Sequence, residues 1–439
     1  MNDELKAGVG LSRKWDAREA GREVAETTLE KLDGENPKFF LLFSTIHYEK
    51  YGGFQELLNG VWDVLPEGTP LVGGTVLGFA NNFGCYTRGA SALAVSYKNM
   101  DVAMGYGKKS KNAPIEASNE CAEMIDSHLK TSQYRNAFLL NLISGPELFN
   151  FPGMGQKKII ESKTTANMGI SFMKLAQRTT GKGLPRDDEI LKNLTKKLPE
   201  YSILSGVLLD DFKFLRNYQF YDHQILINSL VGLGLKTDLS LGVNTTHGML
   251  ERGDNFKITK VDFNGWLIKE INNKPAWPEF LRLLGWNKEI LSDENKFIER
   301  MMYSPLGFKR EGQLYPAMPG IVLGDSMMTV VRSQEGDIAS IMYINGELLL
   351  QAVKKNLEPY QNWKPSFALF SSCITRLITL GKNIYYEQNA LVQHFQDTPF
   401  LVFYVSGEGT YSSERKHLIY SDMSFNSAVF RDGKGENAG

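Results

Sequence analysis

Apolar and polar positions alternate along this chain in a pattern that is written out more than once. FFLLFSTIH (Phe39–His47) and AFLLNLISG (Ala137–Gly145) are short, nearly continuous apolar runs of the kind that form buried strands. Each is followed by a helical spacing, with Phe54, Leu57, Leu58, Val61 and Leu65 after the first and Ile190, Leu191, Leu194 and Leu198 after the second. Both helical stretches end at Leu-Pro-Glu, residues 65–67 and 198–200. The segments Pro70–Gly107 and Ser202–Asn244 then share an order: apolar run, Gly-Gly or Ser-Gly break, polar aromatic-bearing loop, second apolar run, and a strand opening at Asp101 or Asp238. A more divergent third copy runs through Ser366–Cys373, a helical Glu387–Asp397, Thr398–Gly409 and Met423–Phe430. A period this long is not that of a solenoid, and it predicts related subdomains around a shared interface.

The remaining stretches fit between these copies. Asp16 and Glu19 form a capping pair for a helix whose apolar face is Ala17, Ala20, Val24, Ala25, Leu29 and Leu32. A second amphipathic helix carries Ala117, Cys121, Met124, Ile125 and Leu129. Pro146–Arg186 reads as an insertion in the second copy. Its Gly181-Lys182-Gly183 lacks the leading glycine and the hydroxyl of a phosphate loop, so it is read as an exposed turn. Phe256–Gly285 predicts a hairpin at Asn264-Gly265, a turn at Asn272-Asn273 and a short helix. The polar Asp293–Phe297 lies near a boundary, Met327–Val331 and Ile338–Ile344 read as strands, and Asn345-Gly346 reads as a turn, from which GELLLQAVKKNL begins a helix leading to the third copy. The fold class expected is mixed α/β built from repeated β-α-β-β units. The division expected is an N-terminal domain over 1–250, a C-terminal domain over 251–430 and a disordered polar tail over 431–439.

Composition removes several function classes. The 439 residues carry 49 Lys plus Arg against 50 Asp plus Glu, so no basic excess points to nucleic acid. No apolar run reaches the roughly 18–20 residues that span a bilayer, which excludes membrane insertion and makes a cytoplasmic location the default expectation. Cys85, Cys121 and Cys373 show no paired spacing, and the six histidines are scattered, so neither a disulfide framework nor a zinc site is indicated.

With these elements in place, GVGLSRKWDAREAGREVA near the start, PLVGGTVLG, the segment around ITKVDFNGWLIKEINNKPAWPEFLRLLG, LFSSCITR and FYVSGEG together resemble the FIST family, as a FIST N-terminal domain followed by a FIST C-terminal domain. The strand that follows is matched only loosely, by Ser421-Asp422-Met423-Ser424. The resemblance implies an intracellular sensor of amino acids or related metabolites, coupled to a separate signalling protein.

Candidate ligand-binding residues follow from the chemistry an amino acid or other carboxylate requires. Arg376, three positions after Cys373 at the carboxyl end of a strand, can clamp a carboxylate through two parallel charge-assisted bonds, or pair internally with Glu408 or Glu387. Glu408, between glycines, can meet a ligand ammonium, and Tyr411 can add a wall with a hydroxyl. Gly73 and Gly74 permit close backbone approach to a ligand, although the repeat at Ser205-Gly206 favours packing. Cys373 is either a nucleophile or a small buried hydrophobe, and the alternative function is a hydrolytic enzyme with a central site using Cys373 or Ser371. No cofactor is expected. Some FIST-like proteins sense gases through haem, and His223 is the axial ligand considered for that further alternative.

Overall fold

The computed structural model describes residues 4–148, 157–310 and 312–432. The molecule is mixed α/β, and its repeats take the form of three six-stranded sheets with one topology. The first unit runs through strand Lys6–Ser12, helix Ala17–Leu29, strand Phe39–Ser44, helix Phe54–Trp62, strand Leu71–Thr75, the hairpin Gly78–Asn81 with Gly84–Tyr86, and strand Ala90–Ser96. The second repeats this with Met100–Lys108, helix Pro114–Leu129, Asn136–Ser144, helix Asp187–Lys197, Tyr201–Leu208, the hairpin Gln219–Tyr221 with Gln224–Leu226, and Ser229–Thr237. The third uses Ser240–His247, helix Gly346–Leu357, Pro365–Cys373, helix Ile384–Phe395, Phe400–Val405, the hairpin Glu408–Ser412 with His417–Ser421, and Ser424–Arg431.

Each unit lends its hairpin to a neighbour. The first unit's hairpin joins the third sheet through Gly78 opposite Tyr404, the second's joins the first sheet through Gln219 opposite Gly74, and the third's joins the second sheet through Glu408 opposite Gly206. The exchange closes the three units into a ring, and apolar faces of all three sheets meet in one core around Phe43, Phe79, Leu140, Leu204, Phe370 and Phe403. The ring explains why the strands opening near Asp101 and Asp238 belong to the sheet of the following copy.

Local signals act as expected where they are strong. Asp16 accepts from the Glu19 backbone N–H at 3.0 Å and caps the first helix. Asn272 and Asn273, at φ 52° and 61°, make the expected turn. At Gly181-Lys182-Gly183, expected as an exposed turn, both glycines are buried and only Lys182 is exposed, because Gly181 ends helix Lys163–Thr180 in the left-handed region. Asn345-Gly346 is a helix start instead of a turn, because the Asn345 side chain accepts from the Leu348 N–H at 2.8 Å. The polar run at 293 likewise caps helix Glu294–Tyr303 through Asp293. Of the tail expected to be disordered, residues 433–439 lie outside the described residues.

Two insertions complete the molecule. Residues 249–344 interrupt the third unit and build most of a nine-stranded sheet with its own core around Trp277, Phe280, Phe297 and Phe308. The second unit's insertion adds the edge of that sheet, with Ile159 and Ile160 parallel to Val322 and Leu323. Arg332 fastens the junction, bonding Asp188, and Glu189 at 2.6 Å, at the start of the second unit's helix.

Candidate functional site

Where the two insertions meet the carboxyl ends of the third unit's strands, they enclose a cavity of about 110 Å³. Its walls are largely apolar, supplied by Phe212, Phe214, Trp266, Met318, Ile321 and Met328. Its polar groups are few: Lys158, Asp187, Thr329, Thr375, Ser406, Tyr420 and Asp422. Such a ratio of apolar wall to placed polar groups is typical of small-molecule pockets. The Lys158 ammonium lies 4.9 Å from the Phe212 ring centre and 5.9 Å from that of Phe214, a cation–π seat. Burial draws its pKa downward, against the pull of Glu294. Opposite in charge is Asp187, at the first turn of its helix. Burial and then the neighbouring Asp188 push its carboxyl up to about 7, while the Tyr420 hydroxyl and Arg332 act in the other direction. Asp187 Oδ1 is buried without a hydrogen-bond partner, and so is Ser406 Oγ.

Behind Asp422 lies a fully enclosed acid cluster. Cys373 Sγ donates to Asp422 Oδ1 at 3.2 Å and accepts from Thr375 Oγ1 at 3.0 Å. Glu408 accepts from the Ser424 hydroxyl at 3.2 Å and from the Gly407 N–H at 3.2 Å. Asp422 also accepts from the Met318 N–H at 3.2 Å, tying the cluster to the nine-stranded sheet. Burial is the largest cause that raises all three acids above their ordinary values, and the Asp422 charge adds to it for Glu408 and Cys373. Their ligating atoms lie within 4.8 Å of one another, the span of a metal's donor set. As they stand, the hydrogen bonds just described occupy them.

Residues 38–274 of the chain match the FIST N domain and residues 279–409 match the FIST C domain. The chain belongs to the FIST family. FIST domains are associated with the sensing of small ligands in signal transduction. No curated protein matches the chain. Among solved structures, cyanuric acid hydrolase from A. caulinodans aligns over 97% of this chain and 99% of its own, with 8% identity and a TM-score of 0.35, a likeness too slight to carry an argument. Among the described residues no helix of this FIST protein is long and apolar enough to cross a membrane.

The structure corrects the roles expected of several residues. Arg376 does not face the cavity. Its guanidinium is sealed at 0% exposure against Glu387, also at 0%, with Nη2 2.7 Å from Glu387 Oε2 and 2.9 Å from the Leu349 carbonyl. The carboxylate clamp expected of it is therefore replaced by the internal pair that the sequence allowed. Glu408 is buried in the acid cluster and does not line the cavity, so it meets no ligand ammonium there. Tyr411 points to the opposite face of its strand, packs among Ile190, Leu191 and Tyr201, and donates to the Pro199 carbonyl at 3.3 Å. A Cβ on Gly73 would sit 1.8 Å from the Leu42 carbonyl oxygen, and one on Gly74 2.3 Å from Leu208, so both glycines serve packing.

The hydrolytic alternative loses its nucleophiles as placed. Cys373 is fully buried beside two acids, the reverse of the electropositive setting that activates a thiol, and Ser371 is buried against Asn426 at 3.3 Å. His223 stacks on Trp62 at 4.1 Å beside Glu67, and the cavity is lined by other residues. Sequence reasoning missed Lys158, Asp187 and Asp422. The loosely matched SDMS strand was the available sign of Asp422, while Lys158 and Asp187 sit in or beside an insertion that no repeat marks.

Proposed function

We propose that this FIST protein is a signal-transduction sensor that binds a small polar metabolite, an amino acid or another carboxylate, in the cavity between its two family domains. The observation that carries this is the composition of one wall-enclosed space. An ammonium held over two aromatic rings and a pair of buried carboxyls share a cavity whose walls are otherwise largely apolar, with a few hydroxyls. An amino acid brings a carboxylate for Lys158, an ammonium for Asp187 and Asp422, and a side chain for the surrounding Met, Phe and Trp surface. The lining draws on residues from both matched stretches, so occupancy bears on how they sit against each other. We keep 1–250 and 251–430 as the two domains in this reading, with a separate protein as the recipient of the signal.

A thermal-shift screen of amino acids and organic acids tests it. A ligand at 100 times its Kd adds about 2.7 kcal/mol of stability. Lys158→Met is expected to remove the response to carboxylates while leaving the unliganded protein folded. A complete screen without any shift, or a shift untouched by Lys158→Met and Asp187→Asn, overturns the proposal.

A further inference from the structure

Because the three units share one topology, their strand ends can be compared position by position. In the third unit Ser371 pairs with Phe403 and with Asn426; in the first, Phe43 pairs with Gly74 and with Ser91 in the same roles, as the Ala368 N–H bond to the Pro399 carbonyl and the Phe40 N–H bond to that of Pro70 show. Counting back three residues from Asn426 and from Ser91 gives Met423 and Arg88, and counting back four gives Asp422 and Thr87. Counting on from the other strands gives Ile374-Thr375 against Ile46-His47, and Val405-Ser406 against Val76-Leu77. Those first-unit residues, with Arg88, line a separate cleft of about 690 Å³. The first unit thus has a cleft at the place of the cavity just described, with Thr87 where the third unit has Asp422 and Arg88 where it has Met423. The second unit's counterpart, Asn228, is spent on the Lys111 N–H at 3.1 Å and on Asn112 Oδ1 at 3.0 Å.

The cleft has unspent donors. The Arg88 guanidinium lies 3.7 Å from the Trp15 ring centre, and its Nη1 is buried without a hydrogen-bond partner. No ion pair engages Arg88 among the described residues. His47 Nε2 is also buried and unpartnered. Thr45 Oγ1 accepts from the Gly89 N–H at 3.1 Å and lies 2.7 Å from His47 Nδ1 and 3.4 Å from the Gly89 carbonyl; in the tautomer whose Nδ1 accepts the hydroxyl proton, the ring proton sits on Nε2. The acids nearby are occupied: Glu49 by Arg216 at 2.8 Å and the Tyr218 hydroxyl at 2.6 Å, Asp211 by Lys213, and Asp210 by the backbone N–H groups of residues 213–216. Trp15 and Tyr51, with ring centres 4.7 Å apart, are 51% and 44% exposed and form an aromatic rim.

We infer that this first-unit cleft is a second ligand site, distinct from the cavity at Asp187, and that it takes a small carboxylate with a flat body. The guanidinium fork supplies donors for the carboxylate oxygens, the Nε2-protonated tautomer of His47 adds one more, and the exposed rings supply a surface for a planar apolar group. Calorimetric titration of the full chain with benzoate tests this, with inorganic phosphate as the comparison. Saturable one-to-one binding is expected, weakened at least about tenfold by Arg88→Met. Tyr51→Ala, at an exposed position that leaves the fold intact, is expected to weaken it several-fold, and Asp187→Asn to leave it unchanged. Absence of benzoate binding, or binding that survives both Arg88→Met and Tyr51→Ala, overturns the inference. Phosphate binding as tightly as benzoate overturns the assignment to a carboxylate, and loss of benzoate binding in Asp187→Asn places the ligand in the other cavity.

Discussion

Replacing Arg376 by Leu separates a structural arginine from a ligand-binding one. The substitution removes two bonds to Glu387 Oε2, at 3.1 Å and 2.7 Å, and one to the Leu349 carbonyl at 2.9 Å. Glu387 is left with the Tyr404 hydroxyl at 3.1 Å and the more distant Ser372 hydroxyl at 3.5 Å, still at 0% exposure. Removing one partner of a fully buried ion pair costs about 3–5 kcal/mol, because the surviving charge has neither water nor a counterion. With an unfolding entropy of about 2.1 cal/mol/K per residue, the whole chain converts that loss into a fall in Tm of roughly 3–5 °C. Arg376→Leu combined with Glu387→Leu removes both charges and is expected to recover most of the loss, since apolar replacement of a whole buried pair is often close to neutral. Scanning calorimetry of the three proteins at pH 7 measures this. The single variant is also expected to keep its full ligand-induced shift. A single variant as stable as the parent, a double variant no better than the single, or a stable variant that has lost ligand response refutes the structural role.

The remaining predictions concern the buried acids. The Asp187 carboxyl keeps its proton up to about 7 in the folded protein, against about 3.9 in the unfolded chain. The folded state therefore holds a proton that the unfolded state has released, so this group favours folding below about pH 4 and that advantage is lost as pH rises to about 7. Asp187→Asn is expected to remove a decline of about 4 kcal/mol across that window, read as the difference between the two Tm–pH curves; parallel curves count against it. Cys373 is expected to resist iodoacetamide at pH 8 in the native protein and to react once guanidinium unfolds it. A native Cys373 adduct detected by mass spectrometry would restore the thiol as a candidate nucleophile.

Much of the framework was readable from one chain because it rests on local signals. Apolar runs such as FFLLFS and FLVFYV mark strands buried on both faces, Asp16 with Glu19 marks a helix start, and the repeated order of elements marks the copies. The glycine pair at 73–74 was readable as packing for the same reason, since a repeat points to architecture. The helix beginning at Gly346 was readable, and the Asn345 expected in a turn is its cap, because a turn and a helix cap use the same residue type. The site was less legible. Arg376 and Glu408 had the right charges for an amino acid, but a charge in a sequence does not say which partner it meets.

By itself, then, the sequence determined the mixed α/β units, their number and their order, since hydrophobic periodicity and capping act within a few residues. Tertiary structure decided the exchange of hairpins, which depends on strand edges hundreds of residues apart finding each other. It also decided that Arg376 closes on Glu387, that Asp187, Lys158 and Asp422 share a space, and that Arg88 and His47 share another. Burial and distance set the charge state and the partner of each of these groups, and neither is written in residue spacing.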